Sequence, residues 1–359
     1  MSERTVRKGA FTMKKHLTVI LFLSLMIGVL PAIPVRLSRG GTKAAVPADK
    51  TANEVSTETQ QETSLPETET AHETVSDEPY KVLNTADGEV TEVSVRDYVI
   101  GAVCAEMPAS FEPEALKAQA AAAHTYAERQ RALERAKPDA SLKGADFSND
   151  TSKYQGYFTK EQIKQYYGEN FDEYYGKVSK AVDEVLPYIL TYNGSPIISA
   201  FCSMSSGKTE SAENAWGTAV DYLVPVDSSY DTSAPKYMEE VRFNAEALRD
   251  KLGSAFPDIK LEGDISEWLA VTDVSESGTV LTLTAGDKSI SGNELRSALG
   301  LRSACFDIRY ENYSAVITTR GFGHGVGMSQ YGADAMAKDG HSWQEIVAHY
   351  YPGCTISES

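Results

Sequence analysis

Pro108 interrupts a helical pattern that runs from Ser94 to Ala136, so the stretch must fold as two helices meeting at a corner. Before the break, Val95, Val99, Ala102, Val103 and Met107 recur at helical intervals behind Ser94, whose spacing to Asp97 is that of a capping box. The residue ahead of a proline is driven out of the α region, which predicts that Met107 closes the first helix and that Glu106 lies in its last turn. A carboxylate is ill placed there. The negative pole of the helix dipole and apolar neighbours both favour its protonated form, and a glutamic acid held neutral near pH 7 is a general acid. The plainer reading of Glu106 is an ion-paired carboxylate at a helix end.

After the corner, Pro113 stands at a first helical position between Glu112 and Glu114, where the dipole favours negative charge, and the second helix must end before Pro138. Leu116, Ala120, Ala123 and Ala127 fall on one face as a narrow stripe of small residues. The spacing predicts a buried strut that fixes the loop from Pro108 to Glu112 and, through it, the orientation of Glu106.

The 359 residues suffice for one large or two ordinary domains. Their net charge of −17 argues against nucleic acid as a partner. The charge is uneven: residues 1–41 carry seven basic side chains against Glu3 alone. Residues 1–16 read as a basic cytoplasmic tail and residues 17–35 as a transmembrane anchor, with a signal peptide as the alternative. The anchor is preferred because no small-x-small cleavage site follows and Pro31 and Pro34 would make an awkward one. Either way the remainder is exported, which places the C-terminal part outside the cytoplasm. Residues 36–79 read as a disordered acidic linker. From Thr42 onward it holds eight threonines and nine acids against Lys43 and Lys50, with no aromatic residue.

From Tyr80 to Ile356 the pattern is globular, and α+β. Asp87-Gly88 marks a hairpin, a helix is expected from Thr159 to Tyr167, and Asn193-Gly194 marks a second hairpin whose outgoing strand reaches Ala200-Phe201-Cys202. Tyr154, Tyr157, Tyr166, Tyr167, Tyr174 and Tyr175 suit either a sugar-lined cleft or ordinary packing. Ser205-Ser206-Gly207-Lys208-Thr209 lacks the first glycine of a phosphate loop, which removes nucleotide binding. Glu210 and Glu213 are candidates for a second carboxylate. Asn244–Gly300 reads as an inserted subdomain with a helix at Ala245–Leu252, strands at Ile265–Val274 and Val280–Thr284, and a helix capped by Ser291 and Glu294. Beyond the strand Ala315–Thr319, glycine occupies every second position from Gly321 to Gly327, which frees the backbone for positive φ and close approach to a ligand and leaves His324 on a bare loop. Ser329 and Ser342 then each begin a helix.

Three blocks in this order resemble the stage II sporulation protein D family, whose domain is shared with the amidase enhancers. They are Tyr98-Val-Ile-Gly-Ala-Val-Cys-Ala-Glu-Met-Pro with Glu114-Ala-Leu-Lys-Ala-Gln-Ala-Ala-Ala-Ala-His-Thr-Tyr, then Ser205-Ser-Gly-Lys-Thr-Glu, then Gly321-Phe-Gly-His-Gly-Val-Gly-Met-Ser-Gln-Tyr-Gly-Ala. The resemblance implies mixed helices and antiparallel strands around a cleft. It implies a membrane-anchored lytic transglycosylase that cuts peptidoglycan glycan strands during engulfment in sporulation, preferring strands stripped of peptide. Its implied partners are a cell-wall amidase and a membrane component of the engulfment machinery. Glu106 is then the catalytic acid. Ser206, Gly207, Thr209 and Glu210 border the cleft, His324 and Gln330 are substrate contacts or orienters, and Lys117 and Gln119 are structural supports. Some members hold zinc through histidine and cysteines, but Asp146–Tyr157 offers neither residue type, so no metal or other cofactor is expected. The four cysteines allow three pairings, and Cys104 and Cys202, which both flank the proposed cleft, are paired here, leaving Cys305 with Cys354. A cysteine nucleophile with His324 is the chemical rival. The rival from another class is a non-catalytic glycan-binding module that stimulates an amidase.

Overall fold

The computed structural model describes residues 78–358, so the expected tail, anchor and all but the last two residues of the linker lie outside the described part. Among the described residues no helix is long and apolar enough to cross a membrane. Strands β1 (Tyr80–Leu83) and β2 (Val90–Val93) form the expected hairpin and lead into α1 (Val95–Glu106). Ser94 caps α1 by accepting the Asp97 N–H at 3.1 Å, and Met107, at φ −125° and ψ 137°, is already extended ahead of Pro108. Helix α2 (Pro113–Ala136) begins on its proline as expected. It is more than a striped strut: Ala118, Ala121 and Ala122 are as buried as Leu116 and Ala120, and the run from Ala118 to Ala127 is buried on every side. Small residues all round let neighbouring elements close directly onto its backbone.

The short β3 (Phe147–Ser148) runs parallel to β1, and α3 (Lys160–Tyr167) starts on a capping box of Thr159 with Gln162. Helix α4 (Phe171–Val185), which the sequence reading did not find, packs Val178, Ala181, Val182 and Val185 into the core. Lys117 of α2 is pinned between Glu114, at 2.7 Å, and Glu184 of α4, at 2.5 Å. The second hairpin joins β4 (Tyr188–Tyr192) to β5 (Ser195–Pro196) through Asn193 and Gly194, both at positive φ as an Asn-Gly turn requires. Its outgoing run is split. After β5 the chain leaves the sheet and forms β6 (Phe201–Cys202), which pairs in parallel with a later strand. Helix α5 (Ala212–Trp216) ends on Gly217 in the left-handed region.

A second hydrophobic core follows, distinct from the first. It is built by β7 (Met238–Asn244), α6 (Ala245–Ala255), β8 (Leu269–Val274), β9 (Val280–Ala285), β10 (Lys288–Ser291), α7 (Gly292–Leu299), β11 (Phe306–Glu311) and β12 (Ser314–Arg320). Two three-stranded antiparallel sheets, β10-β9-β8 and β11-β12-β7, enclose Leu248, Leu283, Leu295 and Ile317. The inserted unit therefore reaches beyond Asn244–Gly300 at both ends, because β7 and β12 are needed to close its core. The chain returns to the first core through β13 (Met328–Ser329), the parallel partner of β6. It then forms α8 (Gln330–Lys338), α9 (Trp343–Tyr350) and β14 (Thr355–Glu358), which pairs antiparallel with β4. The architecture is mixed α+β with mostly antiparallel sheets and two short parallel pairings.

The expected disulfides are not formed: Cys104, Cys202, Cys305 and Cys354 all remain as thiols.

Candidate active site

Glu106 sits at the end of α1 with 4 % of its surface exposed. Burial pushes its carboxyl up to about 8, and a hydrogen bond from the Gly156 backbone, which favours the charged form, only partly opposes this. The direction is the one expected for a carboxyl among apolar neighbours, and desolvation is its main cause. Around the carboxyl stand the phenols of Tyr98 and Tyr126, both buried and both raised chiefly by desolvation. The cover is the chain from Thr151 to Phe158. It is fastened at Gln155, whose N–H donates to the Tyr126 hydroxyl at 3.2 Å, and at Phe158, whose N–H donates to the Gly101 carbonyl at 3.1 Å. Position 101 must be glycine for this, since a Cβ there would stand 2.3 Å from the Phe158 carbonyl oxygen. Gly156 carries no such constraint; its missing Cβ would lie 3.5 Å from Glu106 Oε1. At neutral pH the site is a protonated carboxylic acid in an apolar, phenol-lined setting.

The other candidates gather elsewhere. The four alternating glycines do take positive φ, from +72° to +109°, but what approaches them is the protein's own backbone. A Cβ at Gly321 would lie 2.6 Å from the Ser205 carbonyl oxygen, and one at Gly327 would lie 2.0 Å from that of Ala200. The glycine run is a clasp on the segment from Ala200 to Glu210. His324 is folded into it: Nδ1 accepts the Val326 N–H at 3.0 Å and the ring meets the edge of Trp216 at 5.4 Å between centroids. Desolvation and then Arg296 hold the imidazole down to about 4, so the ring is neutral.

Ser206 donates to the Ser277 carbonyl at 2.6 Å, and the buried Thr209 accepts the Val226 N–H at 2.8 Å. Gly207, at φ +103°, donates its N–H to Ser205 Oγ at 3.1 Å. Glu210 is 1 % exposed; Oε1 accepts from the Ser211 N–H and from Asn214, while Oε2 accepts the Ser275 hydroxyl at 2.5 Å. These residues tie the first core to the β8–β9 turn of the second. A cavity beside them has Ser206, Glu210, Arg320 and His324 in its walls, and Glu106 is not one of its lining residues. Gln119 and Gln330, both buried, meet amide to amide at 3.3 Å between α2 and α8. Glu213 is exposed.

Two residues were given no role from the sequence. Asp231, fully buried, gathers four donors from Ser205, Ser228 and Ser329. Gln155, 3 % exposed, has neither side-chain amide atom hydrogen-bonded. A glutamine two residues ahead of a tyrosine gives no sign of this, because only the tertiary fold buries it. Among the described residues no group of His, Cys, Asp and Glu is arranged to hold a metal ion.

Fold and site together define an α+β protein in which the buried carboxyl of Glu106 stays protonated at neutral pH. The chain belongs to the stage II sporulation protein D family. The family profile described as Stage II sporulation protein (SpoIID) matches residues 84–192, which hold Glu106 and its cover. Stage II sporulation protein D of Bacillus subtilis (strain 168) is 39 % identical over 347 residues, covering 96 % of this chain and 95 % of that protein. The Bacillus amyloliquefaciens protein of the same name is 36 % identical over 94 % of this chain and 93 % of its own length. A Bacillus subtilis protein named "Amidase enhancer" is 27 % identical over 72 % of this chain and 40 % of its own.

Proposed function

We propose that the chain is a peptidoglycan lytic transglycosylase of sporulation in which Glu106 is the single acid and base. The observation that carries the reading is a buried carboxyl pushed up to about 8, protonated at neutral pH in a protein of this family. Glu106 gives its proton to the oxygen joining C1 of N-acetylmuramic acid to N-acetylglucosamine, and that C1–O bond breaks. The resulting carboxylate takes the proton of the muramoyl C6 hydroxyl, whose oxygen closes onto C1 as a 1,6-anhydro ring. Atoms balance without water, and the acid is regenerated. General acid–base help of this kind is worth roughly 10²–10⁴ in rate. The Ser206, Gly207, Thr209 and Glu210 loop, with His324, Gln119 and Gln330, supports the cleft by fixing the elements around it, as does Lys117 through its ion pairs.

The basic start, the apolar run at 17–35 and the acidic stretch at 36–79 support a membrane anchor with a spacer that lets the globular part reach glycan outside the cell. A partner amidase that strips stem peptides, alongside a membrane partner in engulfment, fits this placement. A second reading comes from the relative named "Amidase enhancer": a glycan-binding module that stimulates an amidase without cutting.

One experiment separates them. Peptide-free glycan strands are incubated with the purified protein or its Glu106→Gln variant, and the products are weighed by mass spectrometry. Anhydro-ended fragments from the wild type alone are expected. Reducing ends would mean a hydrolase, and intact strands from both proteins would favour the binding module.

A further inference from the structure

We propose that Gln155 is a substrate-binding residue that grips the acetamido group of an N-acetylated amino sugar beside Glu106. The inference rests on the glycan reading above and specifies which chemical group of the sugar is read.

Its starting point is the amide side chain of Gln155, 3 % exposed, with neither its nitrogen nor its oxygen hydrogen-bonded to any protein group. Burying an amide without partners costs about 1–3 kcal/mol by protein mutational measures, and Gln155 differs from the other unpaired side chains in that both ends of its polar group lack a partner. The placement agrees. The Gln155 N–H donates to Tyr126, whose phenol lies within electrostatic reach of Glu106, and the next residue, Gly156, hydrogen-bonds the Glu106 carboxyl itself. A second unpaired group, the hydroxyl of Tyr98, is buried in the same surroundings.

The chemistry of these groups selects the ligand. Gln155 and the two phenols carry no charge and none of them balances a buried anion, so a neutral partner suits the amide better than a carboxylate or phosphate. A glutamine amide offers one acceptor and a pair of donor hydrogens. An acetamido group offers the complement, one N–H and one C=O, and satisfies both ends of Gln155 at once. A sugar hydroxyl presents only one heavy atom to the pair. Thr151, Ser152 and Lys153, just ahead of Gln155 in the chain, are exposed, which makes theirs the side from which a sugar would reach the amide.

The test uses the full chain and two uncleaved probes, a β-1,4 trimer of N-acetylglucosamine and the same trimer without acetyl groups, titrated calorimetrically into wild type and Gln155→Leu. Wild type is expected to prefer the acetylated trimer, and Gln155→Leu to bind it on the order of tenfold more weakly, which erases the preference. Melting distinguishes this from a structural role: replacing an unpaired buried amide by an apolar side chain of similar size should leave the midpoint unchanged or higher. A variant that melts several degrees lower would show the amide to be structural and would overturn the proposal. So would equal affinity of wild type for the two trimers. Because the readout is binding, failure to form anhydro products sinks the transglycosylase reading alone, whereas a wild type that does not discriminate between the trimers sinks only this one.

Discussion

Ser205 gives both its backbone N–H, at 2.8 Å, and its hydroxyl, at 2.6 Å, to Oδ2 of Asp231. The same oxygen accepts Ser228 at 2.9 Å, and Oδ1 accepts the hydroxyl of Ser329, the residue that caps α8. One buried carboxyl thereby locks the hydroxyl-rich loop to the segment that follows the glycine clasp. Burial raises the carboxyl above the usual range and the serine donors draw it back.

Asp231→Asn keeps the shape but turns an N–H₂ toward groups that donate. A serine hydroxyl can turn to accept from that amide, but its own buried proton then loses its acceptor. A loss of about 2–4 kcal/mol in denaturant unfolding is expected, with faster hydrogen exchange at the Ser205 amide. An unchanged midpoint would mean that the loop is held by its other contacts.

Glu106 links stability to pH with a definite sign. Its carboxyl is raised in the folded protein from an ordinary 4.5 to about 8, so the fold prefers the protonated form. The preference is fully present below the unfolded value, declines as pH rises between the two values, and is lost above about 8. Glu106→Gln cannot ionise and is free of this decline. The variant and the wild type should therefore unfold at similar denaturant concentrations near pH 4, with the variant progressively more stable toward pH 9. Parallel curves would show that the carboxyl is not raised. If Glu106 is the acid of the proposed transglycosylase, turnover should fall above pH 8 as the acid is lost.

What the sequence revealed was whatever a few neighbouring residues settle among themselves. Ser94, Pro108, Pro113, Asn193-Gly194 and the capping pairs Ser291/Glu294 and Ser342/Glu345 each act within one turn, and each stands where the spacing placed it. Helix α4 was missed because Asn170 gives no side-chain cap and the tyrosines at its start hide a stripe that becomes apolar only at Val178. The glycine alternation announced freedom of φ, yet not what would come close, since Ala200 and Ser205 are far away in the chain. Asp231 and Gln155 were invisible for the same reason. A polar side chain becomes informative when the fold buries it, and burial is a tertiary property.

The glycine clasp makes a paired prediction. Gly325 and Gly327 share nearly the same φ, +78° and +72°, so any L-residue meets similar backbone strain at either. Their surroundings differ. A Cβ at Gly325 would rest in ordinary contact with Glu210 at 3.5 Å, whereas at Gly327 it would collide with the Ala200 carbonyl oxygen. Gly325→Ala should cost about 1–2 kcal/mol, the strain alone. Gly327→Ala must also part β13 from the segment leading into β6, and is expected to melt far lower or fail to fold. Equal losses in thermal melts of the two variants would show that the clasp is looser than the geometry requires.

The cysteines supply the last test. None of the four is in a disulfide, and Cys104, Cys202 and Cys305 are buried. Desolvation raises the Cys104 and Cys354 thiols to about 12, so near pH 8 only on the order of one molecule in 10⁴ carries the thiolate that attacks a disulfide or an alkylating reagent. Both burial and protonation therefore protect the thiols while the protein is folded. Intact mass after alkylation in denaturant without reductant should show four adducts. Alkylation of the native protein should be slow and led by the half-buried Cys354. Since a native disulfide typically contributes about 2–5 kcal/mol, adding reductant should leave the melting temperature unchanged. A drop on reduction, or fewer than four adducts, would show that a pair closes after all and would return Cys104–Cys202 and Cys305–Cys354 to consideration.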